Sequence, residues 1–314
     1  GSAAAGSLTI YNCSTWPPST PNFSYARNEI VGNAAVTPLS SASSAIGGGF
    51  LCLYSPVATQ VVIDVTGFFT PSALGQHYTA TNPTLWTQRT INAGTALHLG
   101  TGQFQLPAGT SAVAINIAAS NTTTAGFITA YGCGSLRPLA LTLNPRTGTT
   151  KQNFAIVPLL PNKTLCVYSM NKADVRIDLV GYFSATGATH LTPAVVTRIT
   201  DTNNSLQPLM NLGTSGQTLA ANVTHTLLLA GQRGLPSDVK AVALDVTATN
   251  GADGGSITVW GGDCTVTPSG TSATYTANSI VSNTVQAALG TTGTLCIRAT
   301  TATDVTIDVH GWWS

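Results

Sequence analysis

The side chains in this sequence with the capacity for chemistry are few. Asp245 and Asp308 are the candidates for a carboxylate pair of the kind glycosidases use. The residue matching Asp245 in the preceding copy of the pattern is Asn116, and the earliest copy has no counterpart, so any such activity belongs to one copy alone. Glu29 is the sole glutamate and has no evident carboxylate partner. His77, His98, His190, His225 and His310 are scattered, and neither GxSxG nor HExxH occurs. The aspartates never cluster as a calcium loop. The expectation is a non-enzymatic chain with no cofactor and no metal. A second chemistry, recognition of neutral sugars, needs aromatic platforms beside hydrogen-bonding groups. Tyr131, Tyr182, Trp260 and Trp312 stand near Asp and Asn in alternating patterns and are the candidate glycan or partner contacts.

These residues belong to repeated elements. The phrase VVIDVTGFFT at 61–70 returns as VRIDLVGYFS at 175–184 and VTIDVHGWWS at 305–314. Upstream, GSLTIYNC, GFITAYGC and GSITVWGGDC each lead to a cysteine, and LCLYS, LCVYS and LCIRA each carry a second one. Asn33, Asn153 and Asn283 each open an intervening apolar run. No CxxC pair and no histidine at zinc-ligand spacing is present. The spacing therefore predicts three local disulfides, Cys13–Cys52, Cys133–Cys166 and Cys264–Cys296, and with them an oxidising, extracellular compartment.

Every segment is short, rich in Val, Ile and Thr, and bounded by Gly, Pro, Asn or Ser; none holds a helical period. The fold class is all-β, with one antiparallel sandwich per module and barrel closure as the competitor. Modules are expected at 1–74, 75–186 and 187–314. The second and third also own an upstream portion, in which LPAGTSAVAINIAAS matches LPSDVKAVALDVTAT; the first has none. Either the first module is a trimmed or divergent copy, or it leaves an edge that another chain covers by strand addition, giving a homo-oligomer or filament.

The patterns AVALDVTAT, GFITAYGCG, LCVYS and VRIDLVGYFS resemble the tandem repeats of secreted and cell-surface proteins of actinobacteria and related bacteria. The resemblance implies a secreted β module and carries over no catalytic residue. Copy one departs from it by lacking the upstream strands, and copy three departs with GGDC and GWW.

Alternation sorts the phrase by face. Val305, Ile307, Val309 and Trp313 share the core face in copy three, as Val175, Ile177, Leu179 and Phe183 do in copy two. The other face carries Asp64, Asp178 and Asp308, expected to be structural acceptors with Arg198 and Arg89 as partners. The same sorting places Tyr131 and Trp260 on a shared second face with these aspartates.

Charged residues make up 7% of the chain and the formal net charge is +1, so no basic stripe exists to bind nucleic acid. No apolar run approaches the ~20 residues of a membrane helix. The opening GSAAAGS lacks the basic and apolar regions of an intact signal peptide. The functional expectation is a secreted structural or adhesive surface protein. A carbohydrate-binding module that takes a cell-surface glycan, and an accessory region of a larger secreted hydrolase, are the alternatives.

Overall fold

β-branched side chains fit a pleated, half-buried surface, and Gly, Pro and Asn break the chain between such runs. The computed structural model describes residues 2–13, 16–18, 21–41, 48–70, 75–186, 189–203 and 218–314, the Val195 side chain excepted. Within them the only regular structure other than strand is a three-residue 3-10 turn, Gly102–Phe104. The first repeat holds β1 (Gly6–Asn12), β2 (Phe23–Tyr25) and β3 (Leu51–Tyr54). The second holds β4 (His77–Ile91), β5 (Thr95–Gly100), β6 (Thr110–Ser120), β7 (Ile128–Gly132), β8 (Lys151–Pro158), β9 (Thr164–Ser169) and β10 (Ala173–Ser184). The third begins with β11 (Leu191–Asp201), β12 (Thr224–Leu228), β13 (Ala241–Thr249) and β14 (Gly255–Gly261). It continues with β15 (Ala273–Tyr275), β16 (Val281–Ala288), β17 (Thr294–Ala299) and β18 (Asp304–Trp313).

The second and third repeats have one plan. Sheet β4-β10-β6-β8 faces sheet β5-β9-β7, and β11-β18-β13-β16 faces β12-β17-β14-β15, all pairs antiparallel. Ile115, Ile117, Val175, Ile177 and Leu179 from one sheet pack on Ile128, Leu165 and Val167 from the other. Leu244, Val246, Ile307 and Val309 pack likewise on Ile257, Val259, Leu295 and Ile297. The phrase is a central strand in both repeats. Its neighbours, β4 and β6 or β11 and β13, both come from the upstream portion.

Among the described residues of the first repeat, sheet β2-β1-β3 is the only one, with the order of β15-β14-β17. The strand expected at 61–70 does not form, nor does the one opened by Asn33. A strand without a neighbour has no ladder to join. Val62, Val65 and Phe68 consequently lie 88%, 81% and 85% exposed.

A β-bulge revises the sorting of faces. The register of β10 shifts between Leu179 and Gly181 against both neighbours, and that of β18 shifts across His310 against β13. One extra residue reverses the alternation beyond it. Tyr182 and Trp312 therefore turn toward the sandwich cores, while Phe183 leaves the core face assigned to it and Trp313 does the same. Phe183 and Trp313 meet Tyr78 in a separate cluster between repeats, with ring centroids 5.0 and 4.7 Å away, and Phe69 of the first repeat lies 6.0 Å from Phe183. The glycine of the phrase belongs to this contact, because a Cβ at Gly181 would collide with the Tyr78 ring.

The three asparagines link the repeats. Asn153 Oδ1 accepts from its own neighbour Phe154 N (2.8 Å) and from Ala34 N of the first repeat (3.2 Å). Asn283 Oδ1 accepts in turn from Phe154 N (3.2 Å). Each Nδ2 donates to the carbonyl eleven positions upstream: Asn33 to Asn22 O, Asn153 to Thr142 O, Asn283 to Ser272 O. The disulfides Cys13–Cys52, Cys133–Cys166 and Cys264–Cys296 close separations of 39, 33 and 32 residues. Loops of that size correspond to about 3–4 kcal/mol each in the chain-entropy account.

Asn283 is fully buried and Asn33 is not, although their bonding is alike. Asn283→Ala strands the Ser272 carbonyl in the interior and is expected to cost about 2–3 kcal/mol in denaturant unfolding, with Asn33→Ala costing less than half of that.

Candidate functional site

The aspartates of the phrase lie on the outer face of β4-β10-β6-β8 in the second repeat and of β11-β18-β13-β16 in the third, and both faces are covered by the next unit. Asp178 is 1% exposed. Its Oδ2 accepts from the Thr271 N–H at 2.9 Å and lies 3.2 Å from the Thr271 hydroxyl, both from the third repeat. Arg176 reaches the same carboxylate through Nε (3.1 Å) and Nη2 (3.1 Å), and its guanidinium also meets Ser269 O. Asn116 Nδ2 donates to Thr271 O at 2.7 Å, and Gln152 Nε2 to the same oxygen at 3.0 Å. Burial raises the Asp178 pKa above its ordinary value, against the opposing bonds from Thr271 and Arg176. The arginine on this aspartate is Arg176 and not Arg89, which is exposed and faces Val175 across the ladder.

The matching junction joins the third repeat to the first. Asp245 and Asp308 are direct partners across β13 and β18, each 2% exposed. Arg198 grips Asp308 through Nε–Oδ1 (2.7 Å) and Nη2–Oδ2 (3.2 Å), and its Nη1 donates to Asp201 at 2.8 Å. His310, the bulge residue, sets Nε2 3.1 Å from Asp245 Oδ1. Asn22 Nδ2 donates to Asp245 Oδ2 at 3.2 Å, and the Thr284 hydroxyl lies 3.0 Å from Asp245 Oδ1 and 2.6 Å from Ala34 O. The pair that resembled a glycosidase's carboxylates is thus roofed by the chain of the first repeat, with its lone pairs taken by an arginine, a histidine, a threonine and an asparagine. Burial drives the Asp308 pKa up despite Arg198. Burial alone would lower that of His310, yet Asp245 and Asp308 hold it above the ordinary 6.5.

The candidate aromatics do not form one surface with these aspartates. Tyr131 on β7 and Trp260 on β14 sit in the second sheet, across the sandwich from the phrase of their own repeat. Trp260 is buried, and residues 262–272 run back along β14, where Thr258 Oγ1 bonds Gly270 O, to meet β4 of the second repeat. There Gly270 N donates to Pro83 O (2.9 Å), Leu85 N to Ser269 Oγ (3.1 Å) and Gly261 N to Asn82 Oδ1 (3.1 Å). Tyr131 is half-buried, and the equivalent segment bonds β7 through Thr129 Oγ1 to Ala140 O and Ala130 N to Thr142 Oγ1. Tyr182 and Trp312 are half-buried against the cores. Asp64 is exposed, unlike its two equivalents.

Two further features were not legible as patterns. A groove of about 500 Å³ runs between the second and third repeats, lined by Gln88, Asp174, Arg176, Ser256, Thr274 and Thr300 among others. Hydrogen bonds from Thr90 and Asn121 lower the Asp174 pKa. His98 lies beside Cys133 and Cys166 with donor atoms within 4.8 Å of one another, but the sulfurs are joined in a disulfide and are not the thiolates a metal binds.

No protein-family model and no curated protein matches this chain. Among solved structures it is similar to the PBSX exported protein XepA at 12% identity, over 81% of this chain and 100% of that one, with a TM-score of 0.22. It is similar to the STIV MCP at 11% identity over 76% and 96% of the two chains, with a TM-score of 0.20. Likeness that low carries nothing about fold or role. Fold and bridges together define a disulfide-stabilised, all-β, multi-sheet protein, and no helix among the described residues is long and apolar enough to cross a membrane.

The raised His310 pKa favours the native state while the imidazole is protonated. That stability is present below about pH 6.5 and is lost as pH rises through the folded-state value. Chemical denaturation from pH 5.5 to 8.5 is expected to show this decline, and His310→Val, which installs the residue found at Val180, is expected to flatten it.

Proposed function

We propose that this chain is an extracellular structural protein that joins other polypeptides through its first repeat. The observation that carries the reading is the contrast between copies of one phrase. In the second and third repeats it is a buried central strand; in the first it is exposed along its length, with Val61, Val62, Ile63, Val65, Phe68 and Phe69 at 41–88%. A contiguous apolar surface of this kind is a mark of association. The side chains with chemical capacity, Asp245, Asp308 and His310, are meanwhile committed to a repeat junction, which favours a non-enzymatic role. Disulfides and a low-charge Thr/Ser/Asn surface suit a secreted setting. The resemblance to repeats of secreted and cell-surface proteins agrees with this.

A second reading, binding of a neutral glycan, is favoured by the groove between the second and third repeats, whose lining is polar with one acid and one base. Calorimetric titration with neutral polysaccharides would then give saturable heat that Asp174→Ala removes.

The attachment reading is tested by sedimentation of the full chain over a thousandfold range of concentration. Average mass is expected to rise with concentration, and Val62→Lys with Val65→Lys is expected to hold the chain monomeric at unchanged melting temperature. A wild-type chain that stays monomeric throughout would overturn it.

A further inference from the structure

Charge is shared unevenly among the repeats. Residues 75–186 hold seven Lys and Arg against two Asp, a net +5, whereas residues 187–314 hold four against seven Asp, a net −3. From 65 to 173 there is no acidic residue. Arg146 and Lys151 of the second repeat are engaged by Glu29, and Arg176 by Asp178. Arg137 is not. Among the described residues its guanidinium meets no acceptor, and it lies 3.8 Å from the Tyr168 ring centroid and 5.7 Å from that of Phe127. Stacking holds the planar fork in place and leaves its N–H groups free for bidentate contact with an anion.

The apolar side chains beside it project as openly. Leu136 is 94% and Leu139 102% exposed, and they flank Arg137 and Pro138. This exposure is built into the repeat. In each copy the residue two places before a proline, just past the first cysteine, stands in solvent: Trp16 at 90%, Leu136 at 94% and Val266 at 76%. Trp16 and Val266 do so although their segments are seated on another repeat, through Asn22 on Asp245 and Thr271 on Asp178. A clasp to the second-cysteine strand fixes the loop. In the third repeat Arg298 Nη1 donates to Thr267 Oγ1 at 3.1 Å; in the second, Arg137 stacks on Tyr168 at the same two positions. Asn162 Nδ2 donates to Cys133 O at 2.8 Å, so the turn that carries Leu160, 38% exposed, and Lys163 belongs to the same end of the repeat.

We propose that this end of the second repeat seats the protein on an anionic lipid surface, with Arg137 on a headgroup phosphate and Leu136 and Leu139 at the acyl boundary. A cation between two fully exposed leucines, on a loop and turn free of acidic residues, matches the order of phosphate over hydrocarbon in such a surface. A protein partner would need a pocket shaped to each leucine, whereas a bilayer takes projecting side chains without one. A sugar would need an open ring face, and Arg137 lies over that of Tyr168. The third repeat lacks the pattern: Thr267 stands in place of Arg137, and Asp263 lies close before Val266.

The test is cosedimentation of the full, disulfide-bonded chain with phosphatidylcholine vesicles and with mixed phosphatidylcholine–phosphatidylglycerol vesicles. Binding is expected on the anionic vesicles alone and weakens as salt is raised. Arg137→Gln is expected to weaken it about fivefold, the contribution of one cation near such a surface, and Leu136→Ser with Leu139→Ser about tenfold or more. Val266→Ser is expected to change nothing. All these side chains are solvent-exposed, so melting temperatures are expected to match the wild type. In hydrogen–deuterium exchange, anionic vesicles are expected to slow the amides of 134–141 and leave those of 262–267 unchanged. Absence of binding to the anionic vesicles overturns the inference, as does equal binding to the neutral ones. Binding that ignores the leucines and is fully competed by soluble polyphosphate assigns the end to free polyanions and overturns it too. Self-association that the leucine changes abolish, with no vesicle present, assigns the face to a second copy and does the same.

Discussion

A β-strand carries backbone donors and acceptors along both edges, and each buried one needs a partner. In this protein that requirement decides which copies of a repeated phrase are structure and which is surface. VRIDLVGYFS and VTIDVHGWWS have neighbours on both sides and become the centres of sandwiches. VVIDVTGFFT has neither, and it stays exposed and outside any sheet in spite of a composition as β-prone as the others. The burial of every core side chain in the second and third repeats, worth roughly 1.5–3 kcal/mol for each large one, depends on those flanking strands being present.

The same requirement governs the polar residues. A low-dielectric junction between sheets tolerates a carboxylate only when its oxygens are occupied. Thr271 and Arg176 serve that purpose for Asp178, and Arg198 for Asp308. With so few charges in the chain, nearly every buried one is paired across a repeat boundary or one strand away. Glu29, the sole glutamate, bonds Lys151 at 2.8 Å and approaches Arg146 at 3.4 Å, tying the first repeat to the second. Polarity here specifies which surfaces meet more than it supplies chemistry.

Much of this was legible from periodicity. The alternation Val175, Ile177, Leu179 identifies a core face, and Arg198 stands where it can reach Asp308. Legibility ends at the bulges. Val180 and His310 each insert one residue, which turns Tyr182 and Trp312 inward and sends Phe183 and Trp313 to the centre between repeats; nothing in the two-residue period announces this. Leu85 stands opposite Asp178, and Arg89 lies opposite Val175, three residues along the phrase. Trp260 and Tyr131 have the same sequence context and differ in burial; β14 meets β4 of the neighbouring repeat through Gly261 N and Asn82 Oδ1.

The order of residues alone determined the all-β class and the cysteine pairs, because side-chain alternation and loop spacing are local properties of the chain. Only the tertiary structure decided which sheet each strand joins, that the aspartates and asparagines face other repeats, and that one phrase is bare. Those outcomes depend on contacts between residues far apart in the chain, such as Asp178 with Thr271 at a separation of 93, Asn153 with Ala34 at 119 and Asn22 with Asp245 at 223. No local pattern encodes which of several equivalent surfaces will be covered; that is settled by what the rest of the chain brings to it.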